Sequence, residues 1–176
     1  MHYEGVAEGP EPRTRREDVA RWQDVVGSQP DFAAEVRRVF DAHKHKTIAT
    51  LRRDGSPRLS GVEVEFTAGD VTFGMMPRSR KAADLRRDPR TEVHSASFLV
   101  EGEEASWGGD ARIAGRACEI RDPDERARYT ETPPGSYPLF ALDIERVVRI
   151  KLEGSPPHLV LETWRPGQPL ERAVVD

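Results

Sequence analysis

The chain has 176 residues and a formal net charge of −4, with 27 Lys and Arg set against 31 Asp and Glu. That length suits one domain able to enclose a core, and the acidic balance argues against a general nucleic-acid binder. Its longest apolar runs are a few residues, far below the roughly 18 needed to span a bilayer.

Residues 1–20 lack the apolar centre of a signal peptide. The single cysteine, Cys118, cannot form an intrachain disulfide. Both point to a reducing cytoplasm, with Cys118 read as a small filler in a strand.

Residues 1–18 are rich in Gly, Pro, Glu and Arg without periodicity and read as a loosely docked arm. A short helix is expected over 18–26, with Val19, Trp22 and Val26 on one face. The segmentation is therefore an N-terminal arm and short helix over 1–26, then a single domain over 27–176. At S-Q-P-D, Ser28 is a candidate cap, Pro30 suits a first turn, and Asp31 stands three residues on. Phe32, Val36, Val39 and Phe40 then mark one face of an amphipathic helix ending near His43.

The period changes at K-T-I-A-T-L (46–51), a strand candidate, and R-R-D-G-S-P (52–57) carries the Asp-Gly signal of a tight hairpin. In 59–66, Val62, Val64 and Phe66 alternate with Gly61, Glu63 and Glu65, which predicts a strand with one buried face. A-G-D (68–70) turns the chain into V-T-F-G (71–74). Further strands are expected at 91–100, 111–120, 139–152 and 158–164, with a loop at 101–110. Asp122, Pro123 and Glu125 start a helix over 122–129. Short strands joined by tight turns, with few helices, predict an antiparallel barrel with helices at its ends.

The chemistry concentrates in G-M-M-P-R-S-R-K-A-A-D-L-R-R-D-P-R (74–90), where six residues are basic and two acidic. Ser79 is a candidate N-cap, which puts Arg80 and Lys81 in the first helical turn. Cations oppose the helix dipole there, so an anion, most simply a phosphate, would complete the site. The competing reading is a solvated helix face. Arg86 and Arg87 lie at the end where positive charge favours the helix, and read as structural.

The histidines lack the converging partners of a zinc site. Neither a G-x-S-x-G elbow nor a phosphate-binding P-loop is present. No catalytic side chain and no metal ligand is named. Trp107 and Trp164 read either as covers for a flat ligand or as core anchors.

Residues 46–118 resemble the flavin- and deazaflavin-binding split-barrel proteins related to pyridoxine 5′-phosphate oxidase. The likeness rests on I-A-T-L-R-R-D-G-S-P-R-L-S-G-V-E (48–63), V-T-F-G (71–74), S-R-K-A-A-D-L-R-R-D-P-R (79–90) and G-D-A-R-I-A-G-R-A (109–117), in that order. The resemblance implies a mainly β fold with flanking helices, a six-stranded antiparallel split β-barrel. It also implies a homodimer with cofactor sites at the interface; the acidic balance, the lack of aromatics in the basic stretch and the short apolar runs separately predict neither a nucleic-acid nor a membrane partner.

By the same resemblance, Ser79, Arg80 and Lys81 would bind the cofactor phosphate. Arg58, Leu59, Ser60 and Val62 would lie along its ring and ribityl chain, and Phe73 and Gly74 would border it. The cofactor would be FMN or, as the alternative, the deazaflavin coenzyme F-420; Asp84, where deazaflavin-using relatives often carry Asn, favours FMN. The implied activity is hydride transfer to or from a small organic substrate, the chemistry being largely the cofactor's. The alternative is a non-catalytic flavin carrier or small-ligand sensor. The tail departs from true pyridoxine-phosphate oxidases, whose Arg-Leu-His element has no counterpart at Arg172, Ala173 and Val174.

Overall fold

The computed structural model describes residues 19–96 and 107–175. The expected arm over 1–18, the last four residues (97–100) of the expected 91–100 strand and residues 101–106 of the expected loop lie outside them. The described elements, in chain order, are α1 (Trp22–Ser28), α2 (Pro30–Asp41), β1 (His45–Leu51), β2 (Pro57–Glu63), β3 (Glu65–Thr67), β4 (Asp70–Gly74), α3 (Arg80–Arg87), β5 (Arg90–His94), β6 (Asp110–Glu119), α4 (Pro123–Ala127), β7 (Leu139–Glu153), β8 (His158–Trp164) and β9 (Glu171–Val175).

All strand pairs are antiparallel, in the order β2-β1-β5-β6-β7-β4-β3. β2 and β3 are separated only by Val64, so the two ends of this order belong to one bent strand. The sheet thus closes into a barrel of six strands, as expected, and β8 and β9 extend it as a hairpin on β7. Closure leaves the barrel strands few open edges.

β7 is the axle. One edge pairs with β6 from Asp110↔Ile150 to Glu119↔Phe140, with a bulge between Ala114 and Gly115. The other edge serves three partners: β4 at Leu139–Ala141, β8 at Val147–Glu153, and Ala20 between them, which exchanges two 2.8 Å hydrogen bonds with Ile144. The N-terminal segment therefore satisfies backbone groups at the point where β7 changes neighbours.

Inside, Ile48, Val62, Val71, Phe73, Val93, Ile113, Leu142 and Val147 form the barrel core. The alternation of Val62 and Val64 with exposed Gly61, Glu63 and Glu65 is as the sequence pattern requires. Phe32, Val36, Val39 and Phe40 of α2 are all buried. Phe66 meets the rings of Trp22 and Phe40 edge-on, at 4.7 and 5.6 Å, so both helices plug the same region.

Two local expectations are corrected. α1 buries Trp22 and Val25, whereas Val26 is exposed, because the helix starts only after Arg21, whose N–H donates to Asp24 Oδ2 at 2.7 Å. Ser28 is not the cap of α2. Pro30 takes the first helical position and leaves Gln29 as N-cap. The Ser28 hydroxyl instead donates back to Asp24 O at 2.8 Å and accepts from Trp164 Nε1 at 2.9 Å. Trp164 is thereby a core anchor, 3% exposed. Among the described residues, no helix is long and apolar enough to cross a membrane.

Candidate functional site

A cleft of about 680 Å³ opens where β2 and β4 splay apart beside the start of α3. Gly61, Val62 and Glu63 supply one wall, and Thr72, Phe73 and Gly74 another. Met75, Met76, Pro77 and Lys81 close one end, and Tyr129, Thr130, Tyr137 and Leu139 form the far side. Val62 and Phe73 belong to the core, with 4% and 1% exposure. Both border the cleft from strands whose side chains pack in the core, and Phe73 stacks on Phe140 at 6.0 Å.

The basic stretch divides here as charge and helix geometry suggest. Ser79 is the N-cap of α3 by backbone conformation, yet its side chain makes no capping hydrogen bond. The helix start therefore keeps its partial positive charge and open N–H groups. Lys81 reaches across to donate to the carbonyl of Gly61, and burial lowers its pKa. An ammonium losing water with one carbonyl for compensation favours a nearby anion. Met76, Pro77, Arg78, Ser79 and Lys81 line an adjoining depression, so cleft and helix start are continuous.

At the other end of α3, Arg86 grips Glu119 of β6, with Nε 3.0 Å from Oε2. Arg87 donates to Leu51 O and, at 3.2 Å, to Asp84 Oδ1. Both arginines fasten the helix to the barrel.

The structure brings together Val62, Phe73, Gly74 and Lys81 in the cleft, with Ser79 in the adjoining depression. Arg80 is exposed at the first position of α3. Arg58, Leu59 and Ser60 precede the cleft along β2 and do not line it. Arg58 Nε is bound to Asp84 Oδ2 at 2.7 Å, and Leu59 is 72% exposed. Asp84 itself is buried and points to Arg58, Arg87 and Thr50, away from the helix start. Of the two glutamates, Glu63 is drawn to Lys44 at 3.3 Å and His45 at 3.5 Å. Arg172 of the tail pairs with Glu153 at 2.6 Å.

Sequence reasoning missed the far wall. Tyr129 is fixed by its hydroxyl, which donates to Asp70 Oδ2 at 2.6 Å, and Asp70 is held in turn by Arg21 Nε at 2.8 Å. Tyr137 packs on Gly74 so closely that a Cβ there would stand 2.8 Å from its ring. The signal was a pair of tyrosines flanking a Pro/Gly-rich loop, but only the β4–β7 pairing carries that loop to β4. Among the described residues, no cluster of three or more His, Cys, Asp and Glu side chains is arranged to hold a metal ion.

A closed six-stranded barrel with a side cleft at a basic helix start defines a split-barrel protein. The family model for pyridoxamine 5'-phosphate oxidase matches residues 32–151, and the chain belongs to that family. Among solved structures, it is similar to a pyridoxamine 5'-phosphate oxidase-related, FMN-binding protein from Nostoc punctiforme, with TM-score 0.57 and 15% identity over 92% of this chain and 100% of that one. PhzG from Burkholderia lata 383, solved with tetrahydrophenazine-1-carboxylic acid, gives TM-score 0.58 and 13% identity over 91% and 95%. A heme-binding protein from Mycobacterium smegmatis gives 0.53 and 17% over 80% and 56%. At these identities the likeness is one of fold. No curated protein matches the chain.

Proposed function

We propose that this protein is an FMN-dependent oxidoreductase acting on a small organic substrate, with the deazaflavin coenzyme F-420 as the alternative cofactor. The observation that carries this reading is the combined cleft and helix start: backbone walls from β2 and β4, ending at Lys81, Ser79 and the open end of α3.

The residues present fit such a group. A volume of about 680 Å³ lies within the roughly 300–1,000 Å³ of small-molecule sites. The flat backbone of β2 at Gly61, where no atom stands within 4 Å of a Cβ position, leaves room for a planar ring. Lys81 and the α3 N–H groups would hold the phosphate. Strand backbone beside Val62, Phe73 and Gly74 would bond the ring edge and fix its orientation. Tyr137 and Tyr129 would exclude water from the opposite side. When bound, the flavin supplies hydride transfer; the chain supplies position and dryness. The carbonyl of Gly61 holds the Lys81 ammonium on the strand side of the cleft, so its charge is placed before any ligand arrives.

An absorption spectrum of the purified protein, before and after titration with FMN and separately with F-420, tests this. A flavin spectrum perturbed by stoichiometric binding is expected. A colourless protein with no affinity for either cofactor would overturn the reading. Reducing the bound cofactor and offering candidate acceptors then separates an enzyme, which reoxidises catalytically, from a carrier or sensor, which does not.

A further inference from the structure

Arg126 of α4 is 2% exposed, and among the described residues no carboxylate forms an ion pair with it. Its Nε donates to Thr132 O at 3.0 Å, and its guanidinium lies 4.6 Å over the ring of Tyr137. Its Nη2 is buried without a hydrogen-bond partner. Arg112, Arg146 and Arg149 also bury an unpartnered Nε. Each of those three nevertheless has a carboxylate: Glu92 at 3.8 Å, Glu92 at 3.3 Å and Glu35 at 2.8 Å. Arg126 is thus set apart.

A guanidinium stays charged throughout the physiological range, and a buried charge without a counter-charge is costly. A carbonyl and a ring face ease that cost without neutralising it. A second cavity, of about 280 Å³, reaches Arg126 and is bordered by Arg86, Glu119, Arg121, Gly135 and Pro138. Arg86 and Arg121 both hold Glu119. The cavity wall therefore carries three guanidinium groups and one carboxylate already engaged twice.

We propose that this cavity binds a small oxyanion, a phosphate group or a short carboxylate. Arg126 forms its floor, and Arg121, whose side chain is 74% exposed, forms its rim. The planar fork of a guanidinium pairs two oxygens at once, and the volume lies below that of most drug-sized sites. Tyr137 and Leu139 border both this cavity and the main cleft, so an anion on Arg126 would brace the far wall of the cleft from behind. This site does not depend on the cofactor assignment.

The test is arginine side-chain NMR of the full chain labelled with ¹⁵N-arginine, the Arg126 Nε–H being assigned through its proximity to the Tyr137 ring. Inorganic phosphate and, separately, acetate are titrated at constant ionic strength into the wild type and into Lys81→Ala, which removes the cleft ammonium. The Arg126 resonance is expected to move saturably in both proteins, with affinity falling about tenfold or more in Arg121→Ala. A response to phosphate alone assigns a phosphate group; a response to acetate as well assigns carboxylates too. A shift that is absent, fails to saturate, disappears in Lys81→Ala or is unaltered by Arg121→Ala overturns the proposal.

Discussion

Asp84 gathers Arg58, Arg87 and the Thr50 hydroxyl at 2.7, 3.2 and 3.1 Å, tying α3 to β1 and β2 beneath the helix start. Burial pushes its carboxyl up, but hydrogen bonds from Arg58, Arg87 and Thr50 outweigh it and hold the pKa below its ordinary value. A carboxylate depressed in the folded state stabilises the fold at pH values above its unfolded pKa, roughly 3.9, and loses that contribution as pH falls through the folded value. Asp84→Ala leaves Arg58 partly buried and unpaired, and is expected to cost about 3 kcal/mol near neutrality. In urea unfolding, the gap between wild type and variant should narrow as the pH is lowered below about 4. A gap independent of pH would show that the charge of Asp84 contributes nothing.

Lys81 is the opposite case, a cation whose burial opposes its charge. On the proposed function, Lys81→Ala and Arg80→Ala should each weaken FMN binding by about 1.5–3 kcal/mol, the scale of a charge-assisted hydrogen bond. Arg86→Ala, at the far end of α3 and outside the cleft, should leave FMN affinity unchanged. Fluorescence titration of FMN reads all three, and equal affinities would dismiss the phosphate role of the helix start.

At the scale of elements, Gly115 sits at the bulge where β6 passes β7, and a Cβ there would collide with the carbonyl of Asp143. The obstacle is backbone in the middle of the barrel's longest pairing, so it cannot swing away. Gly115→Ala should cost about 3 kcal/mol, the upper part of the usual overpacking range, seen as a lower urea midpoint. A midpoint within error of wild type would show that the bulge is soft.

The same scale shows what could be read from sequence. α3 and α4 were legible because charge and capping are local: Asp122 accepts from Glu125 N–H at 2.8 Å as its spacing requires. Alternation at Val62, Val64 and Phe66 was legible for the same reason, although the bend at Val64 was not. β9 escaped because all five of its residues are exposed and carry no burial alternation. In the site, the 74–81 end was marked by its charge. Tyr129 and Tyr137 reach the cleft only through pairing of β4 with β7, a long-range register that short-range periodicity does not encode.

At the scale of the molecule, the cleft lies open along β2, and two large apolar side chains stand out near it. Leu59 is 72% exposed on β2, and Met76 is 81% exposed on the cleft rim. Isolated exposed apolar residues are common, but a pair beside a functional cleft points to a covering surface. A homodimer of the kind the family resemblance implies would supply one, since a second copy laid over β2 would bury Leu59 and Met76 and close the site against water. Light scattering at micromolar concentration should then give twice the 19.8 kDa chain mass. Leu59→Glu and Met76→Glu would place a charge in that contact, and should shift the protein toward monomer while weakening FMN binding in parallel. Neither side chain belongs to the buried core, so the variants should keep the wild-type far-UV circular dichroism spectrum. A monomer that binds FMN stoichiometrically would instead mean that one chain completes the cleft alone, with Leu59 and Met76 left to solvent.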